Sequence, residues 1–192
     1  MNKIFQNYSS LDAFGAGISA LGYAYFFVVA RDPALSAFFL TLMGLFGVKV
    51  VVALYERLKD THGGFALLGL VFGAVGTLGT MVHGGYDLAN VINPSAGVAA
   101  SLPSQIDPRG LLAFGATGLA ILYFSWLMMK GRVFPKSLAY LGFVSGVLLI
   151  WIYVARLTIL NPADPRLLYP VLLEGFIVNP LWYIWLGVAF KK

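Results

Sequence analysis

The chain has 192 residues, of which 59% are hydrophobic and 11% charged, with a formal net charge of +5 and a mean hydropathy of +0.83. A soluble domain carries about 25% charged residues, so this composition excludes a disordered chain, a nucleic-acid binder and an ordinary soluble enzyme. It describes an all-α, polytopic membrane protein, a six-transmembrane-helix bundle forming one domain over residues 1–192.

A membrane-spanning helix needs about 20 mostly apolar residues, and six such stretches take up nearly the whole chain. The first is expected at residues 11–30, with Ser9 and Ser10 as N-caps and Asp12 in the first turn. The polar run Gln6-Asn7-Tyr8-Ser9-Ser10 ahead of it is unlike a cleavable leader, so this helix is expected to be retained. Arg31-Asp32-Pro33 makes a tight connection to helix 2 at 33–55, which ends in Glu56-Arg57-Leu58-Lys59-Asp60. Helix 3, at 63–92, is long enough to project past the hydrocarbon. The longest loop follows, marked by Pro94, Pro103 and Pro108. Helices 4, 5 and 6 are expected at 108–129, 137–160 and 168–190.

Lys and Arg are distributed unevenly between the two ends of such a bundle. The end holding both termini and the 2–3 and 4–5 loops carries Lys3, Arg57, Lys59, Lys130, Arg132, Lys136, Lys191 and Lys192. The other end carries Arg31, Arg109 and Arg166. Cytoplasmic loops are enriched in these residues, so both termini are expected in the cytoplasm and the protein in a plasma (inner) membrane. Asp32-Pro33, Asp107-Pro108 and Asp164-Pro165 each precede an even-numbered helix. They read either as three repeated hairpins or as the same capping chemistry used three times, because Asp accepts from free N–H groups and Pro suits the first helical position.

Ionisable groups inside a bilayer are costly and so are default functional candidates. Here they are Lys49, His83, Asp87, Arg156 and Glu174. At about 1.5 Å per residue, His83 lies about 30 Å along helix 3, with Asp87 four residues on and therefore on the same face. Arg156 lies about 28 Å along helix 5, and Glu174 about 9 Å into helix 6 from the other end. All four fall in the outer third, and Asn179 lies deeper on the helix of Glu174. The expected binding site for a small molecule is an outward-facing polar cavity of His83, Asp87, Arg156, Glu174 and Asn179. The competing expectation is an Arg156–Glu174 pair that locks helices 5 and 6. Lys49 is expected to snorkel to the headgroups, and His62 to be a solvated turn residue. Pro180, directly after Asn179, should free backbone carbonyls and kink helix 6.

Ala16, Ala20 and Ala24 recur every four residues on helix 1, and Gly69, Gly73 and Gly76 line helix 3. Such spacing permits close helix approach, either within the bundle or against a partner membrane subunit. With no Cys and only two His, thiolate and three-His metal sites are excluded, and no cofactor is expected. His83 and Asp87 lack a nucleophile to act on, so no catalytic activity is expected; a lipid hydrolase is the less favoured reading.

Three stretches carry a family resemblance: Val52-Ala53-Leu54-Tyr55-Glu56-Arg57-Leu58-Lys59, Phe134-Pro135-Lys136-Ser137-Leu138-Ala139-Tyr140-Leu141-Gly142, and Trp185-Leu186-Gly187-Val188-Ala189-Phe190-Lys191. In these the chain resembles a family of small bacterial multi-pass membrane proteins of unknown function, which implies a bacterial inner membrane and transfers no functional residue. In architecture it is similar to the substrate-binding components of energy-coupling-factor vitamin transporters, whose small-residue first helix contacts a coupling partner. The resulting expectation is a protein that binds, or helps transport, a small molecule. A structural or accessory subunit of a larger membrane complex is the alternative.

Overall fold

The computed structural model describes residues 3–93 and 106–191, all of whose regular structure is helical. Pro94, Pro103 and Lys192 lie outside the described residues. Among the described residues six helices are long and apolar enough to cross a membrane. Helix α1 runs over Lys3–Ala24 and continues through a wider π-helical turn, Tyr25–Ala30. Helices α2 (Pro33–Leu58), α3 (Gly63–Ile92) and α5 (Lys136–Thr158) are regular. Helix α4 (Pro108–Lys130) opens with a 3-10 turn and a π turn at Leu111–Ala116. Helix α6 (Pro165–Phe190) carries a π turn at Glu174–Val178.

The N-terminal expectation needs correction. Ser9, Ser10 and Asp12 lie inside α1 and do not cap it. The helix begins before its apolar run because helical hydrogen bonding does not depend on side-chain polarity. Ser10 instead donates its hydroxyl to the Gly187 carbonyl of α6 at 2.7 Å. The caps ahead of the even-numbered helices do form: Asp32 accepts from Leu35 N–H at 3.0 Å, and Asp164 from Arg166 N–H at 2.9 Å. The exposed Arg166 guanidinium holds the Asp164 carboxyl down at about 2.

Neighbouring helices run antiparallel, as their residue pairings show. Gly22 and Gly15 of α1 meet Phe39 and Phe46 of α2, and Gly76 and Gly69 of α3 meet Thr117 and Phe124 of α4. Ser145 and Trp151 of α5 bond Glu174 and Arg166 of α6. Helix α6 returns to α1, where Gly175 meets Ala24 and Gly187 meets Phe14. The six helices therefore form a closed, up-and-down ring with both chain ends at one end of the bundle, called here the terminal end. Ala16, Ala20 and Ala24 are buried inside this ring at 0%, 3% and 5% exposure, so the face offered to a partner subunit is covered by the chain itself.

The interior is filled mainly towards the terminal end. Leu54, Leu58, Phe124, Leu127, Met128, Trp182, Leu186 and Phe190 are fully buried there. Arg57 donates to the Phe190 carbonyl at 2.9 Å and ties the ends of α2 and α6 together. A central void of about 10 Å³, lined by residues including Thr77, Thr117, Trp182 and Tyr183, has room for about one water. A second, smaller cluster of Ile152, Ala155 and Leu167 serves the far end.

Helices α2 and α3 approach each other closely at Gly44. A Cβ on Gly44 would stand 2.6 Å from the Thr77 carbonyl oxygen and 2.7 Å from Met81 Cα. These are backbone atoms and cannot rotate away. Gly44→Ala is therefore expected to cost about 1–3 kcal/mol, read as a lower thermal midpoint in detergent. Gly85→Ala, where nothing lies within 4 Å, should leave the midpoint unchanged or slightly raised.

Candidate functional site

At the far end, α3 presents His83 and Asp87 one turn apart, with His83 Nε2 3.1 Å from Asp87 Oδ2. The other imidazole nitrogen, Nδ1, lies 3.8 Å from Asp107 Oδ2. That distance allows a charge contact but is too long for a hydrogen bond. One histidine thus stands between two carboxylates from different parts of the chain.

Asp107 is held in place by its own turn. Arg109 and Gly110 have φ of +59° and +80°, and this left-handed pair folds the chain back so that the Asp107 side chain meets the start of α4. Its oxygens accept from Leu112 N–H at 2.8 Å and Ala113 N–H at 3.0 Å. These are donors that a helix N-terminus otherwise leaves without partners. Burial pushes the Asp107 carboxyl up, but His83 and the two backbone N–H groups outweigh it and hold the group below the usual aspartate range.

Helix α5 adds Arg156. Its guanidinium lies over the Phe114 ring at 5.2 Å and packs against Gly110, where a Cβ would stand 3.1 Å from Nη1. Asp107, Arg109 and Tyr23 of α1 lie within its electrostatic range, and Tyr23 is also in range of Asp87. Among the described residues no carboxylate reaches ion-pair distance of Arg156. The far-end cluster therefore combines Tyr23, His83, Asp87, Asp107, Arg109 and Arg156 from α1, α3, α4 and α5.

Of the five residues expected to form one cavity, the structure brings His83, Asp87 and Arg156 into this cluster. Glu174 and Asn179 are elsewhere. Both are 3% exposed, and Ser145 of α5 donates its hydroxyl to Glu174 Oε1 at 2.5 Å. Neither residue joins the far-end cluster by an ion pair or hydrogen bond among the described residues, and Arg156 and Glu174 form no pair. Lys49, expected to snorkel, has a carboxylate partner in Asp12 at 3.2 Å and lies over the Phe46 ring. His62 does more than occupy a turn: its Nδ1 accepts from Phe65 N–H at 3.3 Å and caps α3.

In the sequence Asp107 reads as a cap, and its contact with His83 has no sequence signal. Tyr23 and Ser145 carry no sequence signal either, since neither stands out from its apolar surroundings. No known protein family, curated protein or solved structure matches the chain.

Asp107 generates a prediction. Asp107→Asn removes the charge from two backbone hydrogen bonds and from the contact with His83, and should cost about 1.5–3 kcal/mol. Because the folded-state carboxyl is lowered, its contribution is fully present above the ordinary value of 3.8 and is lost as pH falls through the lowered one. Thermal midpoints measured from pH 7 downwards should therefore separate the variant from the parent at neutral pH and bring them together in acid.

Proposed function

We propose that the chain is a multi-pass inner-membrane protein that binds, or helps to move, a small molecule carrying an acidic group, which it recognises at the far-end cluster. One observation carries this reading. The Arg156 guanidinium sits among polar groups with no carboxylate at ion-pair distance among the described residues, while the nearby acid, Asp107, already accepts from Leu112 and Ala113 and faces His83. A cation at the edge of a membrane span needs a counter-charge. The planar fork of a guanidinium matches a carboxylate or phosphate group in particular. Phe114 stiffens the side chain from one face, and the His83–Asp87 pair offers groups for a donor elsewhere on the same ligand.

The excess of Lys and Arg at the terminal end, eight against three, supports an orientation with both termini cytoplasmic and the cluster facing outward. A fluorescent protein fused after Lys192 should then be bright, and an alkaline phosphatase fused there inactive. The opposite pattern would turn the cluster towards the cytoplasm.

Binding is tested with the purified protein and a panel of small carboxylates, phosphate esters and amines, scored by thermal stabilisation. At least one anion should raise the midpoint. Arg156→Met should weaken that anion's apparent affinity about 10- to 100-fold, as expected for losing a charged hydrogen bond, while the ligand-free midpoint holds. Glu174→Gln should leave the response intact. No response from any anion, or an equal response from Arg156→Met, would overturn the assignment.

A further inference from the structure

Glu174 presents a separate problem of hydrogen-bond accounting. It lies nine residues into α6, within a membrane-spanning segment, and is 3% exposed. One carboxyl oxygen, Oε1, accepts from Ser145 at 2.5 Å. The other, Oε2, is enclosed without a partner, and so is Oδ1 of Asn179, whose side chain approaches the same carboxyl. Both orphaned atoms are acceptors. A buried acceptor left without a donor is costly, and a buried carboxylate without a counter-charge more so; such a group takes up a proton instead.

Among the described residues the surroundings supply no counter-charge. Helix α5 offers Ser145, and α6 itself offers Asn179 and Tyr183, the titratable group within electrostatic range. Helix α1 approaches this turn with Ala24, opposite Gly175. Among the described residues no Lys, Arg or His acts on the carboxyl. A metal ion cannot sit between Ser145 and Glu174, because their 2.5 Å separation is that of a short O–H···O bond. A proton on Oε2 turns one of the two orphaned acceptors into a donor, beside a side chain, Asn179, that carries the other.

We propose that Glu174, Ser145 and Asn179 form a proton-binding site inside the bundle, distinct from the far-end cluster. Its ligand is a single proton carried on Glu174. On release, the O–H bond on the carboxyl breaks heterolytically, the proton passes to a water, and the negative charge stays on the carboxylate. That requires water to reach the group. The backbone there suits such an opening: Glu174 begins the π turn Glu174–Val178, and Pro180 lacks the N–H that would close the next turn. Proton exchange at Glu174 is thereby tied to movement of α6.

Infrared difference spectroscopy of the full-length protein in lipid nanodiscs tests this, with pH as the variable. The parent should show the C=O band of a buried protonated carboxylic acid at neutral pH, and the band should disappear on the alkaline side. Glu174→Gln should lose it completely, while Asp87→Asn and Arg156→Met keep it. If Glu174→Gln does not fold, Ser145→Ala serves instead: it keeps the carboxyl but removes its hydroxyl neighbour, and should shift the band without abolishing it. A carboxylate signal at neutral pH would overturn the proposal and show Asn179 donating its amide to an ionised Glu174. A band that sodium removes at constant pH and ionic strength would overturn it in favour of a sodium site. A band unmoved by Glu174→Gln, or by Ser145→Ala, would also overturn it.

Discussion

Hydrocarbon offers no hydrogen bonds, so every polar atom within the spans must find its partner inside the chain or go without. The backbone meets that demand by being helical throughout its spans. The helix ends meet it with local carboxylates, Asp32, Asp107 and Asp164. Serine and threonine hydroxyls meet it by bonding back to carbonyls, as Thr77 does to Gly73 and Thr80 to Gly76, or across helices, as Ser10 does to Gly187. The few side-chain atoms left over stand out against so complete a pattern.

The two ends of the ring answer different needs. Towards the terminal end large aromatic and aliphatic side chains meet around Trp182, Phe124 and Phe190. The central void has room for about one water, so the middle of the bundle is closed in this conformation. Towards the far end the apolar cluster shrinks to Ile152, Ala155 and Leu167 with their neighbours, and imidazole, carboxylates and guanidiniums take its place. Packing at one end gives a rigid base, and polar chemistry collects where packing is thinner and solvent is close.

Depth was legible in the sequence for the ionisable residues of α3 and α5, and not for Glu174 of α6. Counting residues along each helix placed His83, Asp87 and Arg156 at a common level, and the four-residue spacing of the first two fixed their shared face. The same count placed Glu174 near that level, yet it meets Ser145, eleven residues before Arg156 on α5, and so lies about 16 Å deeper. The reason is axial: α6 starts at Pro165, ahead of the expected start at Leu168, and its antiparallel register against α5 sets Arg166 beside Trp151 and Glu174 beside Ser145, towards the middle of α5. Asp107 was visible as a cap because Asp-Pro is a local signal. Its approach to His83 depends on the left-handed pair Arg109 and Gly110, which becomes meaningful only once α3 and α4 are packed. Where an expected start failed, at Ser9 and Ser10, the apolar run had been mistaken for the full length of the helix.

Three of the six helices, α1, α4 and α6, contain a π turn, at Tyr25–Ala30, Leu111–Ala116 and Glu174–Val178. Each residue of an α-helix advances the angle by about 100°, and a π turn holds more residues than an α turn. The stripe of side chains beyond such a turn is therefore out of phase with the stripe before it. All three turns fall towards the far end, closing α1 and opening α4, and in α6 alone a π turn separates two α-helical stretches, Pro165–Leu173 and Asn179–Phe190. The residues that α6 offers near the far end are thereby set on a different azimuth from those that it offers towards the termini.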